Sequence, residues 1–166
     1  MLFDSYQRRI KDLRISITDR CNFRCFYCRS GKDESFSPKE SILTFEEIIF
    51  LSEIFVGLGI EKIRLTGGEP LLRKDLENLI KALSEIPKLM DLAITTNGFG
   101  LKDRAEDLKN AGLNRVTISL DSLQTDNFQR ITGVDKLREV LDGIDAAQKA
   151  QLSPVKINSV IIRGRN

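Results

Sequence analysis

Histidine and tryptophan are absent from this 166-residue chain. Without histidine there is no imidazole general base and no Ser–His or Cys–His nucleophile pair. The zinc sites that rely on imidazole are excluded with them. Four prolines and eleven glycines are too few for a collagen-like or low-complexity chain. No apolar run approaches the roughly 20 residues of a membrane-spanning helix. The opening MLFDSYQRRI lacks the apolar stretch of a secretory signal and carries Asp4 early. Charge of one sign is also lacking: 26 Lys and Arg against 24 Asp and Glu leave +2. The global balance therefore points to neither nucleic acid nor a membrane as partner, and any anion site must be local. What remains, 41% hydrophobic and 30% charged, is the composition of one globular domain, expected in a reducing, cytoplasmic setting.

Cysteine is scarce too, and its three copies all lie in CNFRCFYC, residues 21–28, spaced C-x3-C-x2-C. The odd count and the crowding exclude a disulfide framework. Cys25 and Cys28 alone make a C-x2-C of thioredoxin type, which leaves Cys21 unexplained. Structural zinc wants four ligands, so a carboxylate would have to close the site. Three thiolates suit an iron–sulfur cluster. A cubane has four irons, and three cysteines leave one of them free to bind a small molecule. The plain alternative is three unrelated buried thiols, against which Asn22, Arg24 and Tyr27 mark the stretch as a loop.

Around that loop the chain repeats a short strand, a turn and an amphipathic helix. Strands are predicted at 13–18, 62–66, 92–96, 115–120 and 155–162. Thr44 and Glu47 form a capping box at the head of the first helix, Ile48, Leu51, Phe55 and Leu58 follow at helical spacing, and Gly59 stops it. A second helix starts near Asp75 with Leu76, Leu79, Ile80 and Leu83, ending before Pro87, and a third carries Ala105, Leu108 and Ala111 up to Gly112. A short turn is expected near Phe128, then a helix with Leu137, Val140, Leu141 and Ile144. Strict alternation implies a parallel sheet with right-handed crossovers, in sequential order 1-2-3-4-5.

Each strand alternates apolar and polar residues, as in Leu13, Ile15, Ile17 against Arg14, Ser16, Thr18, and Val116, Ile118, Leu120 against Thr117, Ser119, Asp121. A doubly wound sheet, covered on both faces, would read as continuous apolar runs. The expected fold is therefore α/β: a partial TIM-like β/α barrel, helices outside and a polar cavity within. An open sheet with one wet face is the alternative. A complete barrel takes about 250 residues, so a fragment of a longer protein is expected. Arg14, Arg64 and Lys156 fall on the polar face of three strands, where charge in a closed interior is costly unless paired. Either an anion arrives, or they pair with Asp121, Glu69 or Asp19.

C-x3-C-x2-C after the first strand of a β/α chain is the radical S-adenosylmethionine (SAM) signature. With it come, in order, LRISITDRCNFRCFYC, LTFEEI, LGIEKIRLTGGEPLLRKDL, TTNG, AGLNRVTISLDSL, ITG, GIDAA and VKIN. Over essentially the whole chain these blocks resemble the MoaA-type GTP 3′,8-cyclases of molybdenum-cofactor (molybdopterin) biosynthesis. The resemblance implies a radical SAM core domain over residues 1–166, the N-terminal portion of such an enzyme, a lyase. By it, Cys21, Cys25 and Cys28 hold a [4Fe–4S] cluster. SAM is contacted by Tyr27, by Gly68 in the GGEP turn, whose glycines would offer open N–H groups, and by Ser119. GTP is contacted by Arg14, Arg64, Thr95 and Lys156, and no catalytic residue is implied beyond the cofactor ligands. One-electron cleavage of SAM gives a 5′-deoxyadenosyl radical, which takes hydrogen from the ribose C3′ of GTP. The carbon then bonds to guanine C8, giving 3′,8-cyclo-7,8-dihydro-GTP.

Implied partners are GTP, an electron donor such as flavodoxin or a similar reductant, and a second copy in a homodimer, with no nucleic acid and no membrane. The family's three further cysteines for a second cluster, its arginine-rich loop and its C-terminal double glycine do not occur in these 166 residues. The chain by itself is therefore expected not to cyclise GTP. Two other readings stay open: a radical SAM enzyme acting on a peptide or tetrapyrrole, which leaves the three cations without a purpose, and a non-catalytic iron–sulfur or zinc-binding module.

Overall fold

The computed structural model describes residues 1–28 and 36–166. Its elements are β1 (Asp12–Ser16), α1 (Phe45–Gly57), β2 (Lys62–Thr66), α2 (Leu76–Ser84), β3 (Asp91–Thr96), α3 (Ala105–Asn110), β4 (Arg115–Ser119), α4 (Thr125–Thr132), α5 (Leu137–Lys149) and β5 (Lys156–Asn158). The strands form one parallel sheet in the order β1-β2-β3-β4-β5, as the alternation predicts.

Local chemistry sets the element ends. Thr44 Oγ1 accepts from the Glu47 N–H at 3.2 Å, and the Glu47 carboxylate accepts from the Thr44 N–H at 2.8 Å. Two donors that the first turn of α1 leaves open are thereby satisfied. Two elements differ from expectation. The turn near Phe128 is the eight-residue helix α4, whose apolar stripe is only Phe128 and Ile131, both buried, against exposed Asp126, Gln129 and Arg130. So narrow a stripe gives a weak periodic signal. β5 stops at Asn158 rather than running to 162. There Ser159 Oγ donates to the Leu120 carbonyl and the Val160 N–H to Asp121 Oδ1 at 2.8 Å, so side chains replace the ladder.

One face of the sheet and all the larger helices share the core. Ile63 and Leu65 of β2, Leu92 and Ile94 of β3, and Val116 and Ile118 of β4 meet Ile48, Leu79, Ile80, Leu83, Leu108 and Val140. Each such side chain contributes roughly 1.5–3 kcal/mol on burial. A one-residue slip of any strand would turn its arginine or threonine toward the helices, which fixes the register.

The opposite face carries polar rows, because residues in register on parallel strands point the same way. One row is Arg14, Arg64, Ala93 and Arg115. Two residues further along the strands lie Ser16 and Thr66, then Thr95, Thr117 and Lys156, and beyond them Ser119 beside Asn158. Among the described residues no helix is long and apolar enough to cross a membrane.

Candidate active site

The cysteine loop leaves β1 and is held from two sides by bonds that ignore its thiols. On one side its backbone lies along the end of α4, with the Arg24 N–H on the Thr132 carbonyl at 2.9 Å and the Phe26 N–H on the Ile131 carbonyl at 3.1 Å. Gly133, at φ +75°, then turns the chain away. Phe23, 3% exposed, anchors the loop between Phe99 and Phe128 at centroid distances of 6.4 and 6.0 Å. Thus the ITG block earns its place next to the cysteines by offering carbonyls.

On the other side lies the GGEP turn. Gly67 has φ +144°, and a Cβ there would stand 2.2 Å from the Thr18 carbonyl oxygen. A Cβ on Gly68 would stand 2.2 Å from that of Arg20. The Gly68 N–H donates to Thr18 at 2.6 Å and the Glu69 N–H to Arg20 at 2.7 Å. The glycines were expected to present open N–H groups to a ligand. In this structure they let two backbones touch, and the Gly68 N–H bonds the Thr18 carbonyl. Gly68→Ala is expected to lower stability by on the order of 2–3 kcal/mol, since backbone rather than a flexible side chain must yield. Chemical unfolding measures it, and a change within about 0.5 kcal/mol would contradict the packing account.

Glu69 follows, 1% exposed. Its carboxylate accepts from the Leu71 N–H at 3.0 Å, the Thr96 hydroxyl at 2.6 Å and the Asn97 N–H at 2.6 Å. Burial raises its pKa, and these three donors oppose the rise. The Asn97 side-chain amide in turn donates to Asn22 Oδ1 at 2.8 Å and lies 3.9 Å from Cys21 Sγ. Glu69 therefore ties the second strand's turn, the end of the third strand and the cysteine loop together. Sequence reasoning gave neither Glu69 nor Asn97 this part. The blocks GGEP and TTNG contained both, but not the contact between them.

The thiols differ in setting. Cys21 and Cys25 are half-buried and Cys28 is exposed. Burial pushes the Cys25 thiol up to about 11; the neighbouring Tyr27 hydroxyl works against this, while negative charge at Asp121, Cys21 and Cys28 adds to it. Each thiol thus lies within electrostatic reach of Cys25. Among the described residues no three acidic or thiol groups converge on the position of a single metal ion, as zinc at 2.0–2.3 Å would require. In a cubane each thiolate meets its own iron, and three thiols on one loop, of which two are half-buried and one exposed, fit that group. The Tyr27 hydroxyl donates to Asp121 Oδ2 at 2.6 Å. Burial, and then this bond, raise the tyrosine's pKa.

The polar face carries the remaining candidates. Thr95 and Ser119 sit half-buried at the carboxyl ends of β3 and β4. Arg14 and Arg64 stand midway along their strands and Lys156 opens β5. Arg14 and Lys156 are exposed and Arg64 half-exposed, not shut in a closed interior, and water offsets their charge. None of the three makes an ion pair or side-chain hydrogen bond with the described residues. Glu69 and Asp121, named above as partners for them, are engaged elsewhere. A fourth cation of this face escaped the sequence reading: Arg115 holds Asp91 in a two-pronged ion pair, with Nε at 2.9 and 3.0 Å from its two oxygens. Shared parity with Thr117 and Ser119 was the signal that could have found it.

The chain matches the family model described as the radical SAM superfamily over residues 15–166. It is 49% identical over 165 residues to GTP 3′,8-cyclase 2 of Pseudomonas aeruginosa, covering 99% of this chain and 50% of that protein. It is 51% identical over 166 residues to the GTP 3′,8-cyclase of Campylobacter jejuni subsp. doylei, covering 100% and 52%. The chain thus spans about half the length of the curated relatives it matches. Among solved structures, HydG, a maturase of the [FeFe]-hydrogenase, superposes with TM-score 0.72 at 15% identity, covering 90% of this chain and 34% of that one. Native anSMEcpe with bound AdoMet gives TM-score 0.70 at 19% identity, covering 90% and 43%. These share the fold. The cysteine loop, the sheet order and the match over nearly its full length agree: this chain belongs to the radical SAM superfamily.

Proposed function

We propose that this chain is the cluster-, SAM- and phosphate-binding portion of a GTP 3′,8-cyclase. The observation that carries the reading is the set of three cations, Arg14, Arg64 and Lys156, that share the polar face of three strands without a partner among the described residues. An anionic substrate supplies what the chain withholds, and a triphosphate suits cations spread over several strands. The names of the half-matched relatives support GTP as that substrate.

In this reading Cys21, Cys25 and Cys28 hold the [4Fe–4S] cluster, which supplies one-electron cleavage of SAM. The chain's own residues do the placing. Phe23 and the α4 carbonyls fix the loop. Tyr27, Gly68 and Ser119 border the SAM position, Gly68 by fixing the turn rather than by lending its N–H. Arg14, Arg64, Thr95 and Lys156 hold GTP, with the phosphates drawn toward the arginine row and away from the cysteine loop. The ribose is then left at the carboxyl-end rim. Placement matters because a displacement of about 1 Å can slow a reaction on the order of a hundredfold. A one-electron donor of flavodoxin type completes the scheme.

The test uses the 166-residue chain, reconstituted anaerobically with iron and sulfide. With SAM and dithionite it is expected to release 5′-deoxyadenosine, and calorimetry is expected to detect GTP binding. Arg64→Ala is expected to weaken GTP binding about ten- to a hundredfold, the worth of a charged hydrogen bond, with iron content at the parent level. No 5′-deoxyadenosine from iron-loaded protein, or GTP binding indifferent to Arg64, would overturn the reading.

A further inference from the structure

Four buried side-chain atoms lack a hydrogen-bond partner among the described residues: Ser52 Oγ, Thr95 Oγ1, Thr117 Oγ1 and Arg115 Nη1. Ser52 belongs to α1. The other three stand together on the polar face of two neighbouring strands. Thr95 and Thr117 are register partners, Arg115 lies two residues from Thr117, and Lys156 is the register neighbour of Thr117 on the far side. Thr117 is fully buried. One orphan hydroxyl is ordinary, whereas three orphan atoms on one patch of sheet need a cause.

Their chemistry identifies the missing partner. Arg115 spends Nε and Nη2 on Asp91 and keeps Nη1. A guanidinium and an ammonium can only donate, and a threonine hydroxyl donates as readily as it accepts. The patch therefore has donors in excess and wants an anionic oxygen. Beside it lies a hollow of about 90 Å³ whose lining joins Leu13 and Ile63 to Asp12, Arg14, Lys62, Arg64 and Arg115.

We propose that Thr117, with Thr95 and the Nη1 of Arg115, forms the floor of the substrate site and holds an oxygen of a nucleoside triphosphate's phosphate chain. The inference rests on the reading of the polar face as the GTP site and adds Thr117 and Arg115 to it. The three atoms are closed to solvent, so the ligand oxygen reaches them once a neighbour swings. Arg64 and Lys156, bound to no described residue, are free to do so.

Thr117→Val removes the hydroxyl and keeps the shape. The ligand-free variant is expected to melt at or above the parent temperature, because an orphan is lost rather than a bond. Its affinity for GTP and for inorganic triphosphate is expected to fall about tenfold each, one hydrogen bond to a charged group. A lower melting temperature with unchanged affinities would mean that an internal water satisfies the hydroxyl, and unchanged affinity at any melting temperature overturns the proposal. Weaker GTP binding with unchanged inorganic triphosphate binding would overturn the assignment to the phosphate chain. If Thr117→Val both melts lower and binds less, Thr117→Ser decides: recovered affinity supports the contact, and unrecovered affinity assigns the loss to a disturbed strand. Arg64→Ala separates the two readings. If it weakens binding and Thr117→Val does not, this inference alone falls; if neither does, the polar-face site falls with it.

Discussion

A Cys25→Ser chain is expected to come out of anaerobic reconstitution without a cluster and to release no 5′-deoxyadenosine from SAM. Serine preserves size and a polar tip but offers iron a hard oxygen in place of a soft thiolate. Cys25 stands at the centre of the loop, between Cys21 and Cys28 in sequence. Two remaining cysteines leave half of a cubane without protein ligands. The loop itself should survive, because the Arg24 and Phe26 N–H groups and the Phe23 anchor hold it without sulfur. Thermal unfolding of the metal-free variant should therefore follow the parent within about 0.5 kcal/mol, which separates a lost ligand from a lost fold. Iron and sulfide analysis, visible absorbance and chromatography of the SAM products make the measurement. Brown protein with near-full iron and unchanged 5′-deoxyadenosine would rule the ligand assignment out.

Glu69→Leu should be the most damaging single change away from the sulfurs. The leucine fits a buried site, yet it leaves the Leu71 N–H, the Asn97 N–H and the Thr96 hydroxyl without their acceptor. Orphaned donors of this kind cost about 1–3 kcal/mol each, and partial rearrangement brings the expected loss to roughly 3–5 kcal/mol, which at this size lowers the melting temperature by on the order of 10 °C. Against a typical total of about 5–15 kcal/mol, that loss takes a large share of the fold's stability. Urea unfolding of Glu69→Leu beside Glu69→Gln tests the mechanism. Glutamine keeps one acceptor oxygen but turns an NH₂ toward a donor, so it should fall between the parent and leucine. A leucine variant within about 1 kcal/mol of the parent would show that the network does not bear on stability.

The sequence made some of this legible and hid the rest for physical reasons. Strands β1 to β4 could be read because a half-buried strand must alternate, and Thr44 with Glu47 could be read because a capping box is local. Both signals live within a few residues. Arg115 with Asp91, and Glu69 with Thr96 and Asn97, depend on which strand lies beside which and in what register, and no local pattern carries that. α4 was under-read because two apolar residues suffice to hold a helix against Phe23 and the loop. β5 was over-read because Val160, Ile161 and Ile162 look like a strand, while Asp121 and Ser159 draw the backbone off the ladder; Ile161 is 76% exposed. Among the candidate residues, the GGEP turn lies against the start of the cysteine loop at Thr18 and Arg20, while the Tyr27 hydroxyl turns to Asp121. The polar-face cations share a face as expected, but they are more open to water than a closed interior would leave them.

The polar face is also graduated. Its rows recur every second residue, so they stand about 6.6 Å apart along the strands, and four residues from Arg115 to Ser119 measure about 13 Å. Five strands in unbroken register carry the same divisions side by side, which makes the sheet a ruler. For a nucleotide seated as proposed, with its ribose at the Ser119 end, the number of phosphates decides whether the chain reaches the arginine row. A monophosphate with the same base and sugar would fall short of it. Selection for the length of the phosphate tail then needs no pocket shaped to the last phosphate, only a strand long enough to put the arginines where a triphosphate ends.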